Sequence, residues 1–209
     1  MSDSFDAVFI TLEGIDRSGK TTQAAMLAEA LGPETLLVRE PGGTEMAERV
    51  RALLKDPALE MGDVAELLLF SAARADLAER VIEPALARGR DVVCDRYVDS
   101  TAAYQGAARG IGVGRVEELM ELVTGSCMPD VTVYLRVDAD AAHARGLKRL
   151  AAGEADGSDR FESEGVEFQR TVAEAYDELA TRHSGRIVVV EGEGEPGEVH
   201  RRVLAAVGR

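Results

Sequence analysis

The sequence predicts one α/β domain over residues 1–209, a five-stranded parallel sheet flanked by helices. Three observations lead to that class. Five short apolar runs rich in Val, Ile and Leu suit strands covered on both faces. Helical patterns separate those runs, and alternating strands and helices make a doubly wound sheet. A glycine-rich loop joins the first run to the first helical stretch, the context of a phosphate-binding turn.

The first strand is expected at 7–13, through Ala7-Val8-Phe9-Ile10-Thr11-Leu12, and a helix at 22–31 follows the loop. The second strand is expected at 35–39. The helix at 45–54 places Met46, Val50, Leu53 and Leu54 at helical spacing. A long helix is expected at 64–88, carrying Leu67, Leu68, Phe70, Leu77, Val81 and Leu86, with a kink at Pro84. Strand three is set at 91–95, a helix at 114–124, strand four at 131–137 and helices at 139–150 and 166–183. Strand five at 186–191 and a helix at 198–207 complete the pattern. Between two of these helices, residues 151–159 are polar and Gly-rich. They read as a surface loop or as a short lid over a ligand at the strand ends.

Composition excludes several classes. Lys and Arg total 24 against 38 Asp and Glu, a formal charge of −14, which opposes the basic footprint of nucleic-acid binding. That acidity suits a soluble, charged surface, and with lysine limited to Lys20, Lys55 and Lys148 it also suits high salt. No run approaches the ~18 apolar residues of a membrane span. The acidic start, Met1-Ser2-Asp3-Ser4-Phe5-Asp6, lacks the basic and apolar regions of a secretory signal. Cys94 and Cys127 are too few for a disulfide framework or zinc cluster, so a reduced cytoplasmic setting is expected.

Four motifs carry the chemistry. Gly14-Ile15-Asp16-Arg17-Ser18-Gly19-Lys20-Thr21, followed by Thr22, is a complete phosphate loop. Its N–H groups line a concavity at a helix N-terminus, Lys20 reaches the terminal phosphates of ATP, and the Thr21 hydroxyl can ligate Mg²⁺. Arg39-Glu40-Pro41-Gly42-Gly43-Thr44 follows the second strand. Arg39 there can clamp a second phosphate, and Thr44 can cap the next helix. Asp95-Arg96-Tyr97 ends the third strand, where a carboxylate can organise Mg²⁺ or the attacking group. Arg96, Ser100 and Tyr104 then recur about every four residues, as on one helix face. Phe70 and Arg74, four apart on the long helix, suit stacking and edge contacts to a nucleobase, or simply the core.

Together these motifs, with Ala103-Tyr104-Gln105-Gly106, resemble the thymidylate kinase family of P-loop nucleoside monophosphate kinases, over nearly the whole chain. The resemblance implies transfer of the ATP γ-phosphoryl group to dTMP, giving dTDP and ADP for dTTP synthesis. It implies Mg²⁺, a cytoplasmic homodimer packed through helices, and no nucleic-acid or membrane partner. It places Phe70 on thymine, Arg74 on the base edge, and Arg39 and Arg96 on the dTMP phosphate. Asp16 falls near the deoxyribose 3′-hydroxyl and Tyr104 near the sugar 2′ position. Pro41, Ser100, Thr101 and Gln105 fall in the same pocket. Asp95 takes the place near Mg²⁺, and Arg149 packs on adenine at the start of a lid spanning about 148–162. Family members carry a catalytic arginine in the phosphate loop or in the lid. Residues 150–158 contain no Arg or Lys, so Arg17 is expected to bridge the phosphates in the transition state. Arg160 stands outside that lid core. Open alternatives at this level are a kinase for another small acceptor and an ATP-dependent switch.

Overall fold

In the computed structural model the described residues are 7–151 and 164–208. All five expected strands form: β1 (Phe9–Glu13), β2 (Leu36–Arg39), β3 (Val92–Asp95), β4 (Val131–Arg136) and β5 (Ile187–Glu191). Their order is β2-β3-β1-β4-β5 and every pairing is parallel. The register sets Leu12 opposite Asp95 and Arg39 opposite Asp95, so the ends of β1, β2 and β3 meet at one edge. Ligands of such sheets bind at those carboxyl ends. Strands β1 and β3 are fully buried. The edge strands β2 and β5 are not: Leu37, Val188 and Val189 are exposed, because a strand at the rim has helix cover on part of its surface only.

The helices are α1 (Lys20–Leu31), α2 (Glu45–Lys55), α3 (Asp63–Leu77), α4 (Glu83–Leu86), α5 (Val98–Thr101), α6 (Val113–Thr124), α7 (Ala139–Ala151), α8 (Val166–Arg182) and α9 (Pro196–Ala206). The single helix expected at 64–88 is broken. After α3 the chain winds as a π-helical turn over Ala78–Ile82 and resumes as α4. Pro84 supplies the reason: without an N–H it cannot donate back into the preceding turn, which widens instead. A helical stretch absent from the expected helices runs over Val98–Thr101 and continues as a π-helical segment, Ala102–Ala108. Its signal was the spacing of Ser100 and Tyr104.

One core fills the face of the sheet under α3, α6 and α8, around Phe9, Leu77, Tyr97, Val116, Tyr134 and Tyr176. The other packs Leu12, Leu27, Val93, Leu135 and Val203 beneath α1 and α9. Both run up to the site, so the loops above stand on a packed floor.

Candidate active site

The phosphate loop is shaped by two glycines. Gly14 has φ 142°, and a Cβ there would lie 2.6 Å from the Leu135 carbonyl oxygen. Gly19, at φ 97°, forms the N-terminal boundary of α1. No side chain caps that end, and no acidic residue occupies its first turn, so its amides and dipole are directed at an incoming anion. The next helix differs. In α2 the Thr44 hydroxyl accepts from Ala47 N–H at 3.0 Å, and Glu45 and Glu48 sit in the first turn.

Lys20 is buried, its Nζ donating to Ile15 O at 2.6 Å and to Ser18 Oγ at 3.2 Å. Burial, with Arg96 nearby, lowers its amine to about 8. An anion in the loop reverses that shift by supplying a counter-charge. The Thr21 hydroxyl donates to Asp95 Oδ2 at 2.5 Å, joining the start of α1 to the end of β3. Among the described residues, Asp95 Oδ1 is buried with no hydrogen-bond partner.

A cavity of about 520 Å³ opens above these strand ends. Asp16, Arg17, Gly19, Lys20, Thr21 and Thr22 line one side. Arg39, Pro41, Phe70, Arg74, Asp95, Arg96, Ser100, Thr101, Tyr104 and Gln105 also line it. Residues as far apart in sequence as Asp16 and Arg145 thus line one chamber. Of the expected loop residues, Gly14, Ile15 and Ser18 do not line it, and Ile15 belongs to the core. The side chain of Arg149, Arg160 and the lid from residue 152 onward lie outside the described residues.

Arg96 adopts φ 72°, a left-handed conformation rare for a side-chain-bearing residue. Its guanidinium reaches Gly14 O at 3.2 Å, Ser100 Oγ at 3.1 Å and Tyr104 Oη at 3.2 Å, and pairs with Asp16. The Arg96, Ser100 and Tyr104 side chains therefore converge, although Arg96 precedes the helix rather than sharing it. Arg17 also has positive φ, 64°. Its guanidinium lies against α7, where a Cβ on Gly146 would come within 2.3 Å of Arg17 Cζ. Neither left-handed arginine was legible from residue type.

Arg74 is 1% exposed and saturated. Nε and Nη2 donate to Glu40 Oε2 at 2.8 and 2.5 Å, and Nη2 also to Tyr97 O at 2.9 Å. Nη1 donates to Thr101 Oγ1 at 2.8 Å and Met120 Sδ at 2.9 Å. All five N–H groups are engaged. Arg39, by contrast, is exposed and forked onto Glu48 at 3.1 and 3.3 Å. Phe70 combines both readings: it lines the cavity and packs against the small cluster of Ala47, Val50, Leu54 and Ala73. Gln105 donates to buried Glu66 at 2.8 Å.

Several participants were missed. Glu40, Arg51 and Arg145 line the cavity, and Glu13 and Gln169 support it. Gln169, on α8, accepts from Asp16 N–H at 3.2 Å and donates to Asp16 Oδ2 at 2.9 Å. Glu40 had a signal, standing inside Arg39-Glu40-Pro41; Gln169 had none, since only the tertiary fold brings α8 to the loop.

Comparison with known proteins agrees with this geometry. The thymidylate kinase family model matches residues 12–203. A thymidylate kinase of Chlorobium chlorochromatii is 41% identical over 208 residues, covering 96% of this chain and 94% of the relative. One from Syntrophotalea carbinolica is 44% identical over 199 residues, covering 93% and 92%. The crystal structure of thymidylate kinase from Ehrlichia chaffeensis superposes with a TM-score of 0.79 at 32% identity, covering 98% of this chain and all of that one. The chain belongs to the thymidylate kinase family of nucleoside monophosphate kinases, whose reaction is the ATP-dependent phosphorylation of dTMP to dTDP.

Proposed function

We propose that this chain performs that transfer with Arg17 as the bridge between donor and acceptor phosphates. The observation that carries the reading is the cavity shared by the phosphate loop, Arg39, Phe70 and Arg96, with Arg17 among its lining residues. ATP sits with its phosphates in residues 14–22 and its terminal phosphates at Lys20. An oxygen of the dTMP phosphate attacks the γ-phosphorus, the bond to the β,γ-bridging oxygen breaks, and ADP leaves. The attacking group is already an anion, so alignment and charge neutralisation carry the reaction. Arg17 neutralises charge on the transferred group, and Arg96 with Arg39 holds the acceptor phosphate.

Phe70 stacks on thymine, with Pro41, Thr101 and Gln105 around it. Arg74 reaches the base edge most readily through the Nη1 donor shared with Met120 Sδ, because a thioether is a weak acceptor. Asp16 meets the 3′-hydroxyl and Tyr104 borders the sugar. Thr21 and Asp95 fit Mg²⁺: a hydroxyl and a carboxylate with a buried unpartnered oxygen suit a hard cation that keeps water and phosphate ligands. When bound, the ion supplies charge neutralisation on the ATP phosphates. Val64 and Leu68, a helical turn apart on α3 and 61% and 54% exposed, support a homodimer. The buried thiols of Cys94 and Cys127 fit the cytoplasm.

The test is ADP formation from Mg-ATP with a panel of nucleoside monophosphates. Strong preference for dTMP is expected. Turnover spread evenly over purine and pyrimidine acceptors would remove the thymine pocket.

A further inference from the structure

We infer that Glu13 is a positioning residue that holds Arg96 in place for the acceptor phosphate. The inference rests on the reading of Arg96 as a ligand of that phosphate. Glu13 ends β1 and is fully buried, and it does not line the cavity. Three neutral donors converge on its carboxylate: Tyr97 N–H at 2.7 Å, the Ser100 hydroxyl at 2.6 Å and the Tyr176 hydroxyl at 2.9 Å.

Two features tie this cluster to Arg96. The first is backbone strain. A non-glycine residue at φ 72° is strained and persists only where its surroundings over-determine it. Here the constraint comes from β1 on consecutive amides: Arg96 N–H donates to Leu12 O at 3.0 Å, and Tyr97 N–H donates to Glu13 Oε1. The second is the direction of the Ser100 hydroxyl. It has one proton, and the 2.6 Å contact gives that proton to Glu13 Oε2. Its lone pairs then face Arg96 Nη1 at 3.1 Å. Glu13 thereby fixes both the turn that carries Arg96 and the acceptor that orients its guanidinium. Tyr176 extends the same cluster to α8, the helix that follows the lid region.

A carboxamide is the sharpest probe. Glu13→Gln preserves shape but turns one acceptor into a donor facing groups that already donate. Dissociation constants for dTMP and ATP are measured by calorimetry at pH 8, where the carboxyl is ionised, for wild type, Glu13→Gln, Arg96→Ala and the double variant. Glu13→Gln is expected to weaken dTMP about tenfold with ATP within about twofold, and to add under about twofold to Arg96→Ala, since coupled residues are non-additive. If Arg96→Ala leaves dTMP affinity intact, the reading of Arg96 fails and this inference with it. If Arg96→Ala weakens dTMP but the Glu13→Gln effect is absent, equal for both ligands, or undiminished in the double variant, only the role of Glu13 is overturned. Should Glu13→Gln fail to fold, Tyr176→Phe removes one donor at constant volume. A dTMP-specific loss of about threefold that vanishes beside Arg96→Ala sustains the inference, and no loss overturns it.

Discussion

On the phosphate-loop side of the cavity, residues 14–21 shape their surface almost entirely from their own backbone. Gly14 and Gly19 set the path, Lys20 bonds back to Ile15 and Ser18, and the end of α1 is left without a side-chain cap. Across the cavity, Arg39, Arg74 and Arg96 are each held by a carboxylate brought from elsewhere. Arg39 rests on Glu48, Arg74 on Glu40, and Arg96 on Asp16, with Glu13 beneath. The difference teaches that a site can be local or assembled. A local site depends on a few contiguous residues. An assembled one depends on buried charges whose removal damages the fold as well as the ligand.

The largest expected effect lies where the two halves meet. Arg17→Ala should lower the single-turnover transfer rate by about 10³-fold or more while ATP and dTMP affinities stay within a few-fold. Unchanged transfer would separate Arg17 from the chemistry. On the assembled side, Arg74→Ala leaves Glu40 buried and unpaired, so denaturant unfolding should report a loss of about 3–5 kcal/mol. A loss near zero would mean that the acceptor wall is no more dependent on buried charge than the loop.

The next effect is one of pH. Burial, followed by the charge of Asp99, raises the Glu13 carboxyl from 4.5 to about 7. Between those values the folded chain keeps a proton that the unfolded chain has released. Glu13 therefore contributes stability below pH 4.5 that is lost as pH rises to about 7 and beyond. The stability profile of Glu13→Gln should lack this decline, and a profile parallel to wild type would contradict the assignment. Smallest is the closed helix end: Thr44→Ala should cost about 1 kcal/mol through the lost cap. It should leave ATP binding unchanged, because α2 directs its capped end at protein and not at a phosphate.

The same comparison explains what the sequence could reveal. The donor loop was legible because its chemistry is contiguous and its strand–loop–helix setting is periodic. The five strands were legible as apolar runs, and Arg39, Asp95 and Arg96 as charged groups at strand ends. Glu13 read as nothing more than the last residue of a strand, and Gln169 as one position of an amphipathic helix. Their roles come from parallel register and from α8 crossing the loop, which no local pattern encodes. Arg74 read from its residues as core or nucleobase contact, with the pocket role implied by the family resemblance, and its saturation by Glu40, Thr101, Tyr97 and Met120 needed the fold.

The most direct test of a local donor half and an assembled acceptor half is a crossed titration. ATP and dTMP binding are measured for wild type, Lys20→Ala and Arg96→Ala. The account predicts that Lys20→Ala weakens ATP by about tenfold or more and dTMP by less than about threefold, with the reverse for Arg96→Ala, each tenfold being about 1.4 kcal/mol. Comparable loss of both ligands in either variant would contradict it.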